Sequence, residues 1–171
     1  MRPRNLLKYV GMLSGFMILI YFTSCNPDKK WKEMEEEEKQ AIKDFLTDND
    51  SINFELKSSG LYYHDVKVGP GLLAETHDTA FIFYVMKYLS GTTFETNVGT
   101  EDTLILPVNE GWLSVKGFDE GVTYMKEGGV AKFLVPSSLA FGPSGTYNIP
   151  SYTPWLFEVY LVKLSKYAAR K

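Results

Sequence analysis

The 171-residue chain carries 18 basic and 21 acidic side chains, and 44% of its residues are hydrophobic and 15% aromatic. This length predicts one compact domain with appendages, and the apolar fraction is ample for a buried core. The formal net charge of -3 gives no attraction for a polyanion, so we expect no nucleic-acid partner.

The N-terminus has the parts of a secretory signal followed by a cysteine. Three basic residues fall within the first eight positions, and residues 9–22 are mostly apolar. This run is shorter than the roughly 20 residues that span a bilayer, which favours an export signal. The tetrad FTSC at residues 22–25 resembles a bacterial lipobox, in which the cysteine is lipidated and begins the mature chain. An uncleaved membrane anchor is the alternative.

Cys25 is the only cysteine in the sequence. An exported protein with one cysteine has no internal disulfide to form, which favours lipidation of this thiol. Stable anchoring needs more than one acyl chain, since each buried CH₂ contributes about 0.8 kcal/mol. We therefore predict a signal peptide over residues 1–24 and a lipid anchor at Cys25. The protein would lie in a bacterial cell envelope, at the periplasmic face or in the outer membrane.

Residues 25–54 are predicted to form a helical arm. An amphipathic helix ending near Thr47 is indicated by positions that recur at steps of three and four. The acidic run from Glu35 to Glu38 is interpreted as a solvated face rather than a metal site, because consecutive carboxylates on a helix point in different directions. The apolar face of this helix either folds back onto the domain or pairs with a second copy in a homodimer. The recurring positions are Trp31, Met34, Glu38, Ala41, Ile42, Phe45 and Leu46.

Residues 55–171 are predicted to form the main domain, built on an antiparallel sheet. Segments rich in β-branched and aromatic residues, bounded by Gly and Pro turns, indicate its strands. The predicted strands are Leu61–Val68, Thr79–Leu89, Thr103–Val108, Val130–Val135 and Trp155–Leu164.

One short helix is predicted between the third and fourth of these strands. Val115, Phe118, Val122 and Met125 share one helical face, and Gly128-Gly129 is expected to end the helix. Gly121 within the helix costs about 1 kcal/mol relative to Ala, so we expect it to allow close packing against the sheet. A helix on one face of an antiparallel sheet makes an α+β fold.

The order of these features resembles the FKBP-type peptidyl-prolyl cis/trans isomerases, in a bacterial lipoprotein form. Residues 115–164 contain a Gly-started helix, a double-Gly stop, a strand ending in Pro136, Phe141-Gly142, Ile149-Pro150 and a closing aromatic strand. The similarity covers about two thirds of the chain, from near Glu55. It extends upstream through Gly60-Leu61-Tyr62-Tyr63, Gly69-Pro70-Gly71, Tyr84 and Gly91-Thr92-Thr93-Phe94-Glu95. The resemblance implies a curved antiparallel sheet wrapped around one short helix.

The implied reaction breaks no bond. An Xaa-Pro amide isomerises over tens to hundreds of seconds, because a barrier of roughly 18 to 20 kcal/mol protects the planar form. A dry pocket that binds the twisted amide better than either planar isomer lowers this barrier, by about 1.4 kcal/mol for each tenfold in rate. We therefore expect no metal, cofactor or nucleophile, and proline-containing polypeptides as substrates.

The resemblance assigns substrate binding and catalysis to an aromatic-lined pocket. Tyr84 and Phe94 match two of its walls, and Phe118 matches its floor. The backbone N–H of Val115 matches the group that holds the substrate carbonyl, and Glu95 matches a pocket Asp. The remaining predicted substrate-binding residues are Leu104, Ser114, Phe141, Ile149 and Phe157.

The predicted site departs from the family pattern at several positions. Phe118 replaces a Trp, Phe141 replaces a Tyr, and Glu95 is one methylene longer than the usual Asp. Leu104 stands where a Phe is common, and Ser114 where an aliphatic residue is usual. We expect these changes to weaken turnover without removing the pocket.

The expected function is isomerisation at Xaa-Pro bonds during the folding of exported proteins. The alternative is a weakly active or inactive chaperone with the same fold, or an assembly subunit of an envelope machine such as a gliding apparatus. Phe118, Phe141 and the apolar arm favour the alternative. The enzyme is favoured by the retained Tyr84, Phe94, Val115, Ile149 and Phe157.

Overall fold

The computed structural model describes residues 27–111 and 113–167. The predicted signal peptide and Cys25 lie outside these ranges. A compact unit begins at Lys32, and residues 27–31 form the first part of a helix. Within the described ranges, no helix has both the length and the apolar character that a bilayer crossing requires.

The described residues form two α-helices, seven strands and one 3-10 helix. The strands make one antiparallel sheet, curved and open, in the order β1-β2-β6-β7-β3-β4, with β5 also paired to β3. This architecture confirms the predicted α+β fold. The elements are α1 (Pro27–Asp48), β1 (Glu55–Leu56), β2 (Tyr62–Lys67), β3 (Thr79–Lys87), β4 (Thr93–Thr96), β5 (Leu104–Pro107), α2 (Lys116–Val122), β6 (Val130–Val135), the 3-10 helix (Ser137–Leu139) and β7 (Trp155–Ser165).

The five predicted strands are all present as β2, β3, β5, β6 and β7. Their ends differ from the prediction by at most two residues, which is within the usual scatter of strand boundaries. The sequence analysis missed β1 and β4. β1 is only two residues long, and all four residues of β4 are exposed, so neither shows the alternation that marks a half-buried strand.

Helix α2 packs closely on one face of the sheet, as Gly121 predicted. A Cβ atom added to Gly121 would lie 2.6 Å from Cε2 of Phe133 in β6, and one added to Gly117 would lie 2.6 Å from Cγ1 of Val135. Real Cβ atoms do not approach so closely, so both glycines are required for this separation of helix and strand. The prediction for Gly121 is therefore confirmed.

Helix α2 ends at Val122, well before Gly128-Gly129, so the predicted stop was wrong. The backbone after the helix pairs with the segment at residues 71–74 instead of continuing the helical ladder. The N–H of Ala74 donates to the carbonyl of Met125 at 3.0 Å, and the N–H of Glu127 donates to the carbonyl of Leu72 at 2.9 Å. Met125 remains buried, but it reaches the core from this bridge rather than from the helix.

Helix α1 covers the opposite face of the sheet from α2. Successive side chains of a strand point to opposite faces, so Leu134 of β6 points away from α2 while its neighbour Phe133 points toward it. Leu134 packs with Ile42 of α1 and Leu156 of β7 in a buried cluster that is separate from the main core. The partly buried residues packed against this cluster are Phe45, Leu46, Phe54, Tyr62 and Leu89. This part of the arm therefore folds back onto the sheet, which is one of the two arrangements that the sequence left open.

The solvated interpretation of the acidic run was wrong for Glu38, whose side chain is buried. Its two carboxylate oxygens accept hydrogen bonds from the backbone N–H and the hydroxyl of Ser137, at 2.5 and 2.6 Å. Glu38 lies one helical turn before Ile42 and so shares the face that meets the sheet. Glu35 and Glu36 are exposed and form ion pairs with Lys39.

Replacement of Ile42 by Ala should lower the free energy of unfolding by about 2 to 4 kcal/mol, because it leaves a cavity between α1 and the sheet. Denaturant unfolding followed by circular dichroism measures this loss. Lys43→Ala, on the exposed side of the same helix, is the matched control and should change stability by less than about 0.5 kcal/mol. Equal, small losses in both variants would contradict the packing of the arm.

Candidate active site

An apolar cavity of about 260 Å³ opens beside the start of α2. Pockets for drug-sized ligands usually begin near roughly 300 Å³, so this cavity suits a small ring rather than a large ligand. Strands β3, β4, β5 and β7, the start of α2 and the segment after β6 all contribute to it. Its lining consists of Tyr84, Met86, Glu95, Leu104, Leu113, Ser114, Val115, Phe118, Phe141 and Phe157.

Phe118 of α2 is the centre of the aromatic packing around the cavity. The rings of Phe157 and Tyr84 meet it edge-on, with centroids 5.1 and 5.8 Å away. A third ring, that of Phe133, lies 5.9 Å from it in the same geometry. Each such pair contributes about 0.5 to 1.5 kcal/mol beyond its buried area. The four rings therefore hold one another in fixed orientations.

The alternation of two neighbouring strands places two of these rings. Tyr84 of β3 pairs with Val159 of β7, and Met86 pairs with Phe157. Tyr84 and Met86 are two positions apart on β3, and Phe157 and Val159 are two positions apart on β7. All four side chains therefore lie on one face of the sheet, which is the face that α2 covers. The Tyr84 and Phe157 side chains therefore meet Phe118 from the sheet side.

A hydrogen bond joins the two polar side chains of the β3 and β4 walls. The hydroxyl of Tyr84 donates to Oε1 of Glu95 at 2.6 Å. Burial, and then the neighbouring Glu95 carboxylate, raise the pKa of Tyr84 well above its usual value. The phenol therefore stays neutral at physiological pH. Of the described lining residues, Glu95 is the one that carries a carboxylate.

Asn97 fixes the segment that follows β4 to the middle of β3. Its side-chain carbonyl accepts from the backbone N–H of Tyr84 at 2.7 Å, and its side-chain amide donates to the carbonyl of Ile82 at 3.0 Å. The hydroxyl of Thr96 donates to the carbonyl of Tyr84 at 2.8 Å. Sequence analysis missed Asn97, although an Asn beside a Gly-containing turn is a residue type that bonds nearby backbone.

Asp119 of α2 holds the loop on the other side of the cavity. Its buried carboxylate accepts from the backbone N–H groups of Asn109 and Gly111, at 2.8 and 2.9 Å. Both residues have positive φ, 59° and 68°, a conformation that Asn and Gly tolerate best. This loop leads into Ser114 and Val115, so Asp119 contributes to the position of that wall.

The cavity brings together eight of the ten predicted site residues. These are Tyr84, Glu95, Leu104, Ser114, Val115, Phe118, Phe141 and Phe157. Phe94 is not among the lining residues. It lies at an irregularity of the β3–β4 ladder, where Met86 pairs with Glu95 and Lys87 pairs with Thr93, so simple strand alternation does not apply to it. Its ring packs instead 5.0 Å from that of Trp155, which contacts Phe141. Ile149 is buried in the core, and its carbonyl accepts from Thr146 N–H at 2.8 Å.

Sequence analysis missed two lining residues, Met86 and Leu113. Met86 lies two positions after Tyr84 on β3, so strand alternation would have placed it on the same face. Leu113 lies in an irregular segment with no periodicity from which its position follows. In the parts of the chain that the structure describes, no three His, Cys, Asp or Glu side chains are grouped so that they could hold a metal ion.

Comparison with known proteins gives consistent matches. A sequence model of the FKBP-type peptidyl-prolyl cis-trans isomerase family matches residues 72–162, a range that contains every cavity-lining residue. The FKBP-type peptidyl-prolyl cis-trans isomerase FkpA of Aeromonas hydrophila is 33% identical over 111 residues, which are 65% of this chain and 40% of that protein. An FK506-binding protein of Neisseria meningitidis serogroup B is 32% identical over 106 residues, which are 61% of this chain and 96% of that protein.

The fold also resembles that of a solved structure. The crystal structure of FkpA from Escherichia coli matches with a TM-score of 0.68 at 23% sequence identity. The match covers 92% of this chain and 71% of that chain. The chain spans well under half of the length of the Aeromonas relative and nearly all of the Neisseria relative.

Replacement of Glu95 by Gln should lower the pKa of Tyr84, because the negative charge beside the phenol is removed. Burial, the larger cause of the shift, remains, so the pKa should stay above its usual value. NMR titration of ¹³Cζ-labelled tyrosine measures the change. Glu101→Gln, at an exposed position between β4 and β5, should leave Tyr84 unaffected. An unchanged or higher pKa of Tyr84 in Glu95→Gln would contradict the described contact.

Proposed function

The chain belongs to the family of FKBP-type peptidyl-prolyl cis-trans isomerases, and on that basis we propose that it catalyses rotation about Xaa-Pro bonds in polypeptides. The observation that carries this proposal is the small cavity with Phe118 at its floor and with Tyr84, Phe141 and Phe157 in its lining. A proline ring would enter it, with the preceding amide at the rim. The name of the Aeromonas relative, an FKBP-type peptidyl-prolyl cis-trans isomerase, supports the same activity.

The apolar lining supports catalysis without a covalent step. Twisting the amide breaks its resonance and reduces its dipole. The twisted form therefore loses less hydration free energy than the planar forms when water is excluded. A lining that fits this form lowers the barrier by differential binding. The backbone N–H of Val115, at the start of α2, would hold the substrate carbonyl. The Tyr84 hydroxyl donates a hydrogen bond to Glu95. It therefore orients the β3 and β4 walls of the cavity rather than supplying a proton to the substrate.

A second candidate function is that of a chaperone or assembly subunit with weak or no catalysis. Phe141 has no hydroxyl to offer a substrate carbonyl, and exposed apolar side chains lie on segments that adjoin lining residues. Tyr147, in the loop between Phe141 and β7, is fully exposed, and Val98 after β4 is half exposed. Such side chains would contact unfolded polypeptides whether or not isomerisation follows.

We also propose that the protein is held at a bacterial envelope membrane through lipidated Cys25 and acts on exported proteins there. The signal-like N-terminus and the single cysteine support this location. The homodimer through the arm stays a prediction. Ile42, Phe45 and Leu46 lie against the sheet, so pairing of two arms would have to use other positions of the helix.

Replacement of Phe141 by Ala should lower kcat/KM for an Xaa-Pro peptide by about tenfold or more, which corresponds to about 1.4 kcal/mol of transition-state stabilisation. Phe141→Tyr should raise it, because a hydroxyl donor is added at the wall. A protease-free NMR exchange assay measures both.

Phe81→Ala is the matched control, since Phe81 lies on β3 with its ring beside Lys163, away from the cavity. It should lower stability and leave kcat/KM unchanged. A folded wild-type chain that isomerises the peptide no faster than the uncatalysed reaction would favour the chaperone function instead.

Replacement of Cys25 by Ser should release the protein from the membrane fraction, because the residue that carries the acyl chains is lost. Cell fractionation measures the distribution, and mass spectrometry of the wild-type N-terminus should show an acylated Cys25. Retention of residues 1–24, or an unmodified cysteine, would contradict the anchor. Ser24→Ala changes a neighbouring small residue and serves as the control.

A further inference from the structure

The contact between Glu38 and Ser137 joins the helical arm to the segment that leaves β6. The two residues are 99 positions apart, and their exposed fractions are 8% and 2%. Both oxygens of Glu38 accept from Ser137, one from its backbone N–H and one from its hydroxyl. Ser137 begins the 3-10 helix that follows β6. The carboxylate therefore fixes the first residue of that helix from two directions.

The carbonyl group of Ser137 continues the connection toward the cavity. It accepts from the backbone N–H of Ala140 at 2.9 Å and from that of Gly142 at 2.8 Å. These residues flank Phe141, which lines the cavity. Glu38 and Phe141 are thus linked through one residue by four hydrogen bonds.

The backbone around Phe141 belongs to neither a helix nor a strand. Ala140 has φ -128° and ψ -116°, and Gly142 has a positive φ of 70°. No repetitive ladder fixes this segment, so its position depends on individual hydrogen bonds such as those to Ser137. A shift of Ser137 would therefore move the Phe141 ring relative to the floor at Phe118.

Docking of the arm does not by itself require a carboxylate at this place. Ile42 and its neighbours already provide an apolar contact with β6 and β7. Burial of a charged group is costly unless its hydrogen bonds are made, and a Leu at position 38 would cover the sheet without that cost. The choice of Glu therefore points to a role in the bonds to Ser137.

We propose that Glu38 is a positioning residue of the candidate active site, which holds Phe141 in place through Ser137. This inference rests on the proposed isomerase function. It makes the arm part of the site, although α1 contributes no residue to the lining of the cavity. Loss of the carboxylate should loosen the Phe141 wall and leave the Phe118 floor in place.

Amide hydrogen exchange on the full-length chain tests the physical connection without reference to catalysis. In Glu38→Ala, the amides of Ala140 and Gly142 should exchange about tenfold faster or more, because a local opening becomes easier. Amides of β3 should keep their wild-type rates. Glu37→Ala, an exposed neighbour on the same helix, is the matched control and should change neither set. Unchanged exchange at Ala140 and Gly142 in Glu38→Ala would overturn the inference.

A double-mutant cycle tests the connection to function. Glu38→Ala and Phe141→Ala should each lower kcat/KM for an Xaa-Pro peptide, and the double variant should be no slower than Phe141→Ala alone. A residue that acts only on global stability would give additive losses. Glu38→Gln keeps one oxygen acceptor, so it should recover most of the activity lost in Glu38→Ala. Additive losses, or no recovery with Gln, would overturn the inference.

Two further results separate this inference from the proposed function. If the wild-type chain shows no catalysis, the proposed function fails, and the exchange rates alone decide whether Glu38 holds the Phe141 segment. If Glu38→Ala does not fold, Ser137→Ala removes one of the two bonds without opening a large cavity. Ser137→Ala should show the same pattern of amide exchange and the same non-additive kinetics, at smaller amplitude. A uniform increase in exchange over the whole chain would overturn the inference.

Discussion

The close approach of helix α2 to the sheet is the constraint on which the site depends. Gly117 and Gly121 leave no side chain between the helix and the Val135 and Phe133 side chains of β6. The ring of Phe118 therefore reaches Phe133, Phe157 and Tyr84 together. A larger separation would pull the floor of the cavity away from its walls, and edge-to-face packing would be lost. The helix stays short because the chain beyond Val122 pairs with residues 71–74.

The sheet has a helix on each face, and the two helices serve different purposes. Helix α2 supplies the floor of the cavity, whereas α1 covers Leu134 and Leu156 on the other side. The bonds between Glu38 and Ser137 link that second helix to the segment that carries Phe141.

The sequence predicted the core of this arrangement because its signals are local. Five strands followed from composition and turns, and Gly121 indicated the close contact of helix and sheet. Tyr84, Phe118, Phe141 and Phe157 followed from the family resemblance, and the structure places them around one cavity. Phe94 is not in the lining, but its ring packs against Trp155, which contacts the lining residue Phe141.

Features that depend on distant partners did not follow from the sequence. The three- and four-residue repeat places Glu38 on the face that meets the sheet, but its partner Ser137 lies 99 residues away in the chain and does not follow from that repeat. The end of α2 depends on a backbone pairing with residues 71–74 that has no composition signal. Strand β4 shows no alternation of buried and exposed residues, because all four of its residues are exposed. Glu95 of this strand nevertheless lines the cavity.

The central claim is that the cavity with Phe118 at its floor receives a proline ring while the preceding amide rotates. Intermolecular NOEs measured on an isotope-labelled chain with an unlabelled Xaa-Pro peptide test this most directly. The account predicts NOEs from the proline ring to the aromatic protons of Phe118 and Phe157, together with exchange peaks between the cis and trans peptide. NOEs confined to Tyr147 or Val98, without exchange peaks, would contradict it.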